Sequence, residues 1–339
     1  MRMIRRLALG ASLLATTVIA GATGGGSALA QTDAPPVRIG SVNFYESRLM
    51  AEIYAQALEA AGFQVDRHLG LGVRADMLAS FQDAQVDLIP EYVGSSLVHF
   101  ITSSDDPTVD ALGQPPDGET TRTSLQTALD TLGIPASVLA ITPGLDINTT
   151  VVRPETAEEL GLSTLSDLVA VQDQLRWGLP PECDTQAACF EALEAYGITY
   201  PPAQREALAA CDSPMADALA NGAIDVAWLC STQPPIAQYG FVVLADDLGM
   251  QPADHIAPIV RNDWADQAGG VDAIAAILDP ISAQLTTEVL TELGVRHVID
   301  LVDIPDVAAE FLAGGVSDGA DASAAPASPA AEPAASPAG

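Results

Sequence analysis

The chain has 339 residues, 48% of them hydrophobic, which is enough apolar material for a substantial core and argues against a disordered acidic chain. Its 45 acidic residues face only 13 basic ones, all arginine, for a formal charge of −32. A surface of that sign repels nucleic acid and anionic membrane faces, so neither is expected as a partner; it suits a salty medium, where screening limits self-repulsion.

Arg2, Arg5 and Arg6 precede an apolar run from Leu7 to about Ala20, and a Gly/Ser stretch then ends in Ala28-Leu29-Ala30 before Gln31. This is the pattern of a cleavable secretory signal over 1–30, cut near Ala30/Gln31. The run is shorter than the ~20 residues of a membrane span. No cysteine lies at the cut, so lipid attachment is not expected there. Removal of 1–30 takes three arginines and no carboxylate, leaving ten arginines and a formal charge of −35. The mature protein is expected outside the cytoplasm and not embedded in a membrane.

Val37-Arg38-Ile39-Gly40-Ser41 reads as a first strand. Leu49 to Ala61 has apolar residues at helical spacing and stops before Gly62. A second strand begins at Phe63-Gln64-Val65, a helix runs from Ala75 to Gln82, and Val86-Asp87-Leu88-Ile89 is a third strand. Strand–helix–strand–helix–strand predicts α/β architecture with covered parallel strands. Ser103 to Thr121, rich in Asp, Pro and Gly, reads as a surface loop. Further on, Leu160 to Val169 suits a helix capped by Ser163 or Ser166. Phe190 to Tyr196 suits another, ending at Gly197. Pro214 to Ala220, Gly222 and Ile224-Asp225-Val226-Ala227-Trp228-Leu229 echo the grammar of Ala79 to Leu88, which predicts two similar lobes. Phe241-Val242-Val243-Leu244 reads as a strand near a lobe boundary, and Val271 to Leu293 and Asp306 to Leu312 as helices. From about Gly314 the composition shifts to Ala, Pro, Ser and Gly, and 317–339 is expected to be a disordered tail.

The four cysteines, Cys183, Cys189, Cys211 and Cys230, read as disulfides in an oxidising compartment. Four allow three pairings. Cys183 with Cys189 closes a small local loop and leaves Cys211 with Cys230. The spacing is irregular and no CxxC pair occurs, so neither zinc nor any other cofactor is expected.

Several motifs, taken in order, carry a resemblance. Ile39-Gly40-Ser41-Val42-Asn43-Phe44-Tyr45-Glu46, the following Leu49-Met50-Ala51-Glu52-Ile53-Tyr54, and Val86-Asp87-Leu88-Ile89-Pro90-Glu91-Tyr92-Val93-Gly94-Ser95 are similar to the opening elements of glycine betaine/choline/carnitine (osmoprotectant) binding proteins of ABC importers. Asp146, Asn148, Val151-Val152, Glu155-Thr156-Ala157, Gly222 to Val226, Asp246-Asp247 and His255 to Val260 continue it, so that it spans roughly Val37 to Leu312. The resemblance implies a two-lobed type II periplasmic-binding-protein fold with two hinge crossovers. One lobe would comprise 36–141 plus 244–316 and the other 142–243. The implied activity is capture of a small solute in the interlobe cleft and its delivery to an ABC permease, by a monomer that catalyses nothing.

Such ligands carry a quaternary ammonium, which donates no normal hydrogen bond and is held by aromatic faces. The resemblance implies Tyr92 as a cage tyrosine, with Asn43, Phe44 and Tyr45 on the loop after the first strand and Ser95 as a hydroxyl donor. Asn148, Thr150, Ser231 and Thr232 would form a polar wall on the second lobe, with Trp228 a further ring. The chain also departs from the pattern. Val42 stands where relatives have Lys or Gln, Thr150 where an aromatic is common, Cys230-Ser231-Thr232-Gln233-Pro234 at a strand end that usually carries an aromatic, and an arginine is replaced near Gln186. A desolvated cation–aromatic contact is worth about 2 kcal/mol, so loss of two weakens a standard site by powers of ten unless something replaces them.

Two other readings differ in class. An orphan or sensory binding protein would use the same cleft for a different ligand. A secreted hydrolase would need a nucleophile elbow or a metal motif, and neither G-x-S-x-G nor H-E-x-x-H occurs.

Overall fold

The computed structural model of the chain describes residues 34–314, except 116, 186–188 and 201. The expected signal, its cleavage point, the tail and the replaced arginine near Gln186 lie outside the described residues. Among these residues the strands form two five-stranded sheets.

The first sheet contains β1 (Val37–Gly40), β2 (Val65–His68), β3 (Leu88–Tyr92) and β4 (Ala136–Val138), joined late in the chain by β10 (Ile256–Arg261), in the order β2-β1-β3-β10-β4. The second holds β5 (Asn148–Val152), β6 (Trp177–Leu179), β7 (Arg205–Ala207), β8 (Val226–Cys230) and β9 (Val242–Val243), in the order β7-β6-β8-β5-β9. The two sheets share one plan: three parallel strands in the order second, first, third, and then a strand running the other way. The expectation of parallel strands therefore holds for β1, β2 and β3, but β10 is antiparallel to both β3 and β4. It enters from the opposite lobe, so its direction is set by the chain's return and not by a crossover helix.

The echo between the halves has a physical basis. In the first sheet Arg38 holds Asp87, with Nε to Oδ2 at 2.8 Å and the backbone N–H of Arg38 to the same oxygen at 2.9 Å. In the second, Arg176 holds Asp225 in the same way, at 2.9 and 3.0 Å. Each carboxylate precedes the third strand of its sheet and ties it to the base of the first.

Helix α1 (Tyr45–Ala60) follows β1, α2 (Arg74–Gln82) follows β2 and α3 (Val93–Ser103) follows β3. Leu49, Met50, Ile53, Tyr54, Ala57 and Leu58 are buried at the spacing of one helical face. Leu49, Met50 and Ile53 pack against Val307, Ala308 and Phe311 of the last helix, Ile304–Leu312. The second lobe has its own core around Trp177, Leu193, Met215, Leu219 and Trp228.

Three sequence expectations change. The segment 103–121 is not all loop: Asp117 accepts a hydrogen bond from Thr120 N at 2.9 Å and starts a helix over Gly118–Thr131. The helix expected over 160–169 instead spans Pro154–Leu160, with proline at its start and Gly161 in the left-handed conformation at its end. Neither Ser163 nor Ser166 caps it. The Asp167 side chain accepts from the N–H groups of Ser163 and Thr164 before a short 3-10 turn. The helix expected over 271–293 divides into Val271–Ser282 and Thr287–Gly294, and the chain bends by 77° between the first piece and the helical run Thr287–Ile299. Pro280 lies near the end of the first piece, and Thr286 Oγ1 caps the second.

Both expected disulfides are formed, Cys183–Cys189 and Cys211–Cys230. No single helix among the described residues is long and apolar enough to cross a membrane.

Candidate functional site

The chain passes between the sheets around Asp146 and again around Asp254, and the two passages run side by side. Asp146 N donates to Asp254 O at 2.9 Å, Thr142 N to Ile256 O at 2.8 Å, and Leu145 pairs with His255. Beside this double strand lies a cleft of about 540 Å³, which both lobes line. It is within the size range of small-molecule sites.

The first-lobe wall comes from the ends of β1 and β3 and the starts of α2 and α3. It includes Val42, Asn43, Phe44, Arg74, Asp76, Tyr92, Ser95 and His99. Carboxyl ends of parallel strands leave room for ligands because the helices start there. Phe44 and Tyr92 form a tilted ring pair, with centroids 5.8 Å apart and planes at 38°. The guanidinium of Arg74 lies 5.9 Å from the Tyr92 centroid and pairs with the fully buried Glu91 at 3.1 Å. Glu91 also accepts from Tyr92 N at 2.9 Å, which fixes the turn that presents the tyrosine. Gly94 lets α3 settle onto the second passage: a Cβ there would stand 2.7 Å from Pro252 Cβ and 2.8 Å from Asp254 Oδ1. As a result Ser95 N donates to Asp254 at 2.6 Å and its hydroxyl to the other oxygen.

Beneath the rings lies a buried carboxylate pair. Tyr92 Oη donates to Glu46 Oε1 at 2.6 Å, and Thr232 Oγ1 lies 2.7 Å from Glu46 Oε2 and 3.0 Å from Asp146 Oδ1. Burial pushes both carboxyls up, and for Asp146 the charge of Glu46 pushes further, so that it lies well above the carboxylate range. A threonine hydroxyl has one proton to give, and two adjacent carboxylates resist joint ionisation. The pair therefore keeps a proton, on the Asp146 side. Burial also raises Asp254, to about 6, with the charge of Arg74 opposing. Burial works against the charge on Arg74, but Glu91 and Asp254 outweigh it and its pKa is raised. Burial and Arg74 lower His99, which keeps it neutral at pH 7. The cleft thus combines an aromatic pair with acidic groups, and its nearest fixed cation is already committed to Glu91.

Of the residues expected from sequence, Asn43, Phe44, Tyr92, Ser95 and Asn148 line the cleft. Tyr45 does not. It is buried at the start of α1 with its ring 6.0 Å from His297. Trp228 is 2% exposed and packs in the second-lobe core, where its backbone N–H donates to Met215 Sδ at 3.2 Å. Thr150 pairs with Trp228 across β5 and β8 and is equally buried. Ser231 and Thr232 do not form a hydroxyl wall, because their hydroxyls are spent on Asp146 and on Glu46 with Asp146. The sequence reading missed Arg74, Asp76, Glu182 and Asp254 as lining groups and Glu46 as the partner of Tyr92. It also missed the Cys211–Cys230 bond as part of the second-lobe wall, beside Asn148, Pro181, Ala209 and Ala210. Among the described residues no His/Cys/Asp/Glu group is arranged to hold a metal ion.

The family model for the substrate-binding domain of ABC-type glycine betaine transport systems matches residues 35–314. The chain is 26% identical over 288 residues to the glycine betaine-binding protein YehZ of Escherichia coli, covering 82% of this chain and 90% of that protein. It is also 26% identical over 324 residues to a glycine-betaine-binding protein of Pseudomonas aeruginosa, covering 92% and 94%. Among solved structures, apo YehZ from Escherichia coli superposes with a TM-score of 0.57 at 25% identity over 83% of this chain and 99% of that one. A glycine betaine/carnitine/choline ABC transporter structure gives 0.62 at 19% identity, over 82% and 98%. With its match running through both lobes and both passages, the chain belongs to the family of substrate-binding domains of ABC-type glycine betaine transport systems.

Proposed function

We propose that the mature chain, cut near Ala30/Gln31 and acting as a monomer, captures a compact quaternary-ammonium solute in the interlobe cleft and presents it to an ABC permease. The lobes are assigned to 36–141 plus 244–316 and to 142–243. The placement of β5 to β9 in one sheet and of β1 to β4 with β10 in the other supports that division.

The observation that carries the ligand class is the Phe44–Tyr92 ring pair, set in a cleft whose lining carboxylates include Asp76 and Asp254. A tetra-alkylated nitrogen offers no hydrogen-bond donor, so it is held by ring faces and by the field of nearby carboxylates. The relatives' names, which specify glycine betaine, point to the same chemistry. A structural relative of the same fold holds choline.

The test is a thermal-shift panel of glycine betaine, choline, carnitine and proline betaine on the purified mature chain, followed by calorimetry. Saturable stabilisation by at least one member is expected. A folded protein that none of them stabilises would overturn the reading.

A further inference from the structure

Among the described residues the second-lobe wall of the cleft has no aromatic ring, and its most conspicuous lining element is a disulfide. Cys211 precedes the helix Ser213–Ala220, and Cys230 is the last residue of β8, paired across the strands with Asn148. Both line the cleft, and both keep only an edge exposed, at 5% and 7%. Cys211 holds a left-handed backbone at φ 55°, a conformation that disfavours any residue with a Cβ. The chain accepts that cost at the residue that brings the second sulfur to the wall. The wall around the pair includes the small apolar Ala209, Ala210 and Pro181, with Asn148, Glu182 and Thr185 as its polar members. The other disulfide differs: Cys183 and Cys189 are buried in the second-lobe core and neither lines the cleft.

We propose that the Cys211–Cys230 disulfide is itself a ligand-contacting surface, completing from the second lobe the enclosure that Phe44 and Tyr92 begin from the first. Disulfide sulfur is large, polarisable and a poor hydrogen-bonding partner for water, so it offers a dry face to N-methyl groups. Those methyls carry the spread charge of the cation and gain dispersion and induced-dipole attraction from such a face. A ring at the end of β8 would act through its quadrupole; the sulfur pair fills the same place through polarisability. The site then takes methylated ammonium groups without a ring on the second lobe, and it takes them more tightly in its oxidised form.

This inference rests on the quaternary-ammonium reading above. Calorimetry with choline and glycine betaine on three forms separates the two: wild type, Cys211→Ala/Cys230→Ala, and Cys211→Ala/Cys230→Tyr, each checked for a cooperative melt. The double-alanine form is expected to bind roughly three- to tenfold more weakly. The form with tyrosine at the strand end, which also lacks the covalent link, is expected to regain most of the loss, a recovery that a merely structural crosslink would not give. Wild-type binding with an unchanged double-alanine affinity overturns this inference alone. Weak binding that the tyrosine fails to restore also overturns it. Absence of binding by wild type overturns both readings.

Should the variants not fold, the native chain supplies the test. Under limiting phosphine reductant, saturating choline should slow thiol labelling at Cys211 and Cys230 about tenfold relative to Cys183 and Cys189, read by mass spectrometry. An equal change at both pairs overturns the proposal.

Discussion

Glu46, in the first turn of the first-lobe helix Tyr45–Ala60, and Asp146, where the chain leaves that lobe, meet at one hydroxyl: Thr232 Oγ1 is 2.7 Å from the first carboxyl and 3.0 Å from the second. Thr232 lies two residues past the end of the second lobe's β8, so the contact joins both lobes and the passage between them. Burial raises both carboxyls from their ordinary values of 4.5 and 3.8. A carboxyl raised in the folded state stabilises it fully below the unfolded value, and that contribution is lost as pH rises through the folded value. Stability should therefore fall as pH climbs above about 4. Glu46→Gln keeps an acceptor for Tyr92 and a partner for Thr232 but removes the like-charged pair. Its melting temperature should fall less than that of wild type between pH 5 and 8, as followed by circular dichroism. A parallel fall would show that the pair does not share a proton.

Asp254 provides a second pH signature with a narrower window. Burial lifts it from 3.8 to about 6. The same sign applies: its contribution is complete below about pH 4 and is lost by about pH 6, an effect of roughly 3 kcal/mol. Asp254→Asn keeps the bond from Ser95 N, so the variant should fold and should lack this component. Denaturant titrations at pH 4.5 and 7 would measure it.

Tyr92 divides into ring and hydroxyl. Tyr92→Ala removes the face beside Phe44 and should weaken quaternary-ammonium binding about tenfold or more. Tyr92→Phe keeps the face and deprives Glu46 of its 2.6 Å donor. It should retain most affinity while losing about 1–3 kcal/mol of stability. Calorimetry and urea unfolding on the same two proteins test whether these roles separate.

Arg74 and Glu91 form a buried pair, with side chains 17% and 0% exposed. Arg74→Met leaves a buried carboxylate uncompensated and should destabilise by about 3–5 kcal/mol. Adding Glu91→Gln should return a large part of that. A double mutant as unstable as the single one would show that the pair's worth lies elsewhere.

Much of the fold was legible because it rests on periodicity and local order. The apolar spacing of Leu49 to Leu58 predicted its helix, and Val86 to Ile89 predicted a central strand. The direction of β10 was not legible, since nothing within Ile256 to Arg261 records which way the chain returns. Site residues at strand ends were easier to anticipate than those within strands. Asn43 and Phe44 follow a strand and Tyr92 ends one, and each lies on the cleft. Trp228 and Thr150 lie inside strands covered on both faces, where a large or polar side chain serves the core or the pairing. Ser231 and Thr232 carried the expected chemistry, but their partners, Asp146 and Glu46, are distant in sequence, and only the folded passage brings them together. Arg74 and Asp254 gave no local signal for the same reason.

The cleft beside Phe44 and Tyr92 is the proposed seat of a quaternary ammonium group. Isothermal calorimetry of the mature, oxidised chain against choline and glycine betaine tests it most directly, with Tyr92→Ala alongside. Saturable binding of at least one solute by wild type, weakened about tenfold or more by the substitution, is the predicted result. A folded wild-type protein that binds neither solute, or binds one with an affinity Tyr92→Ala leaves unchanged, would contradict it.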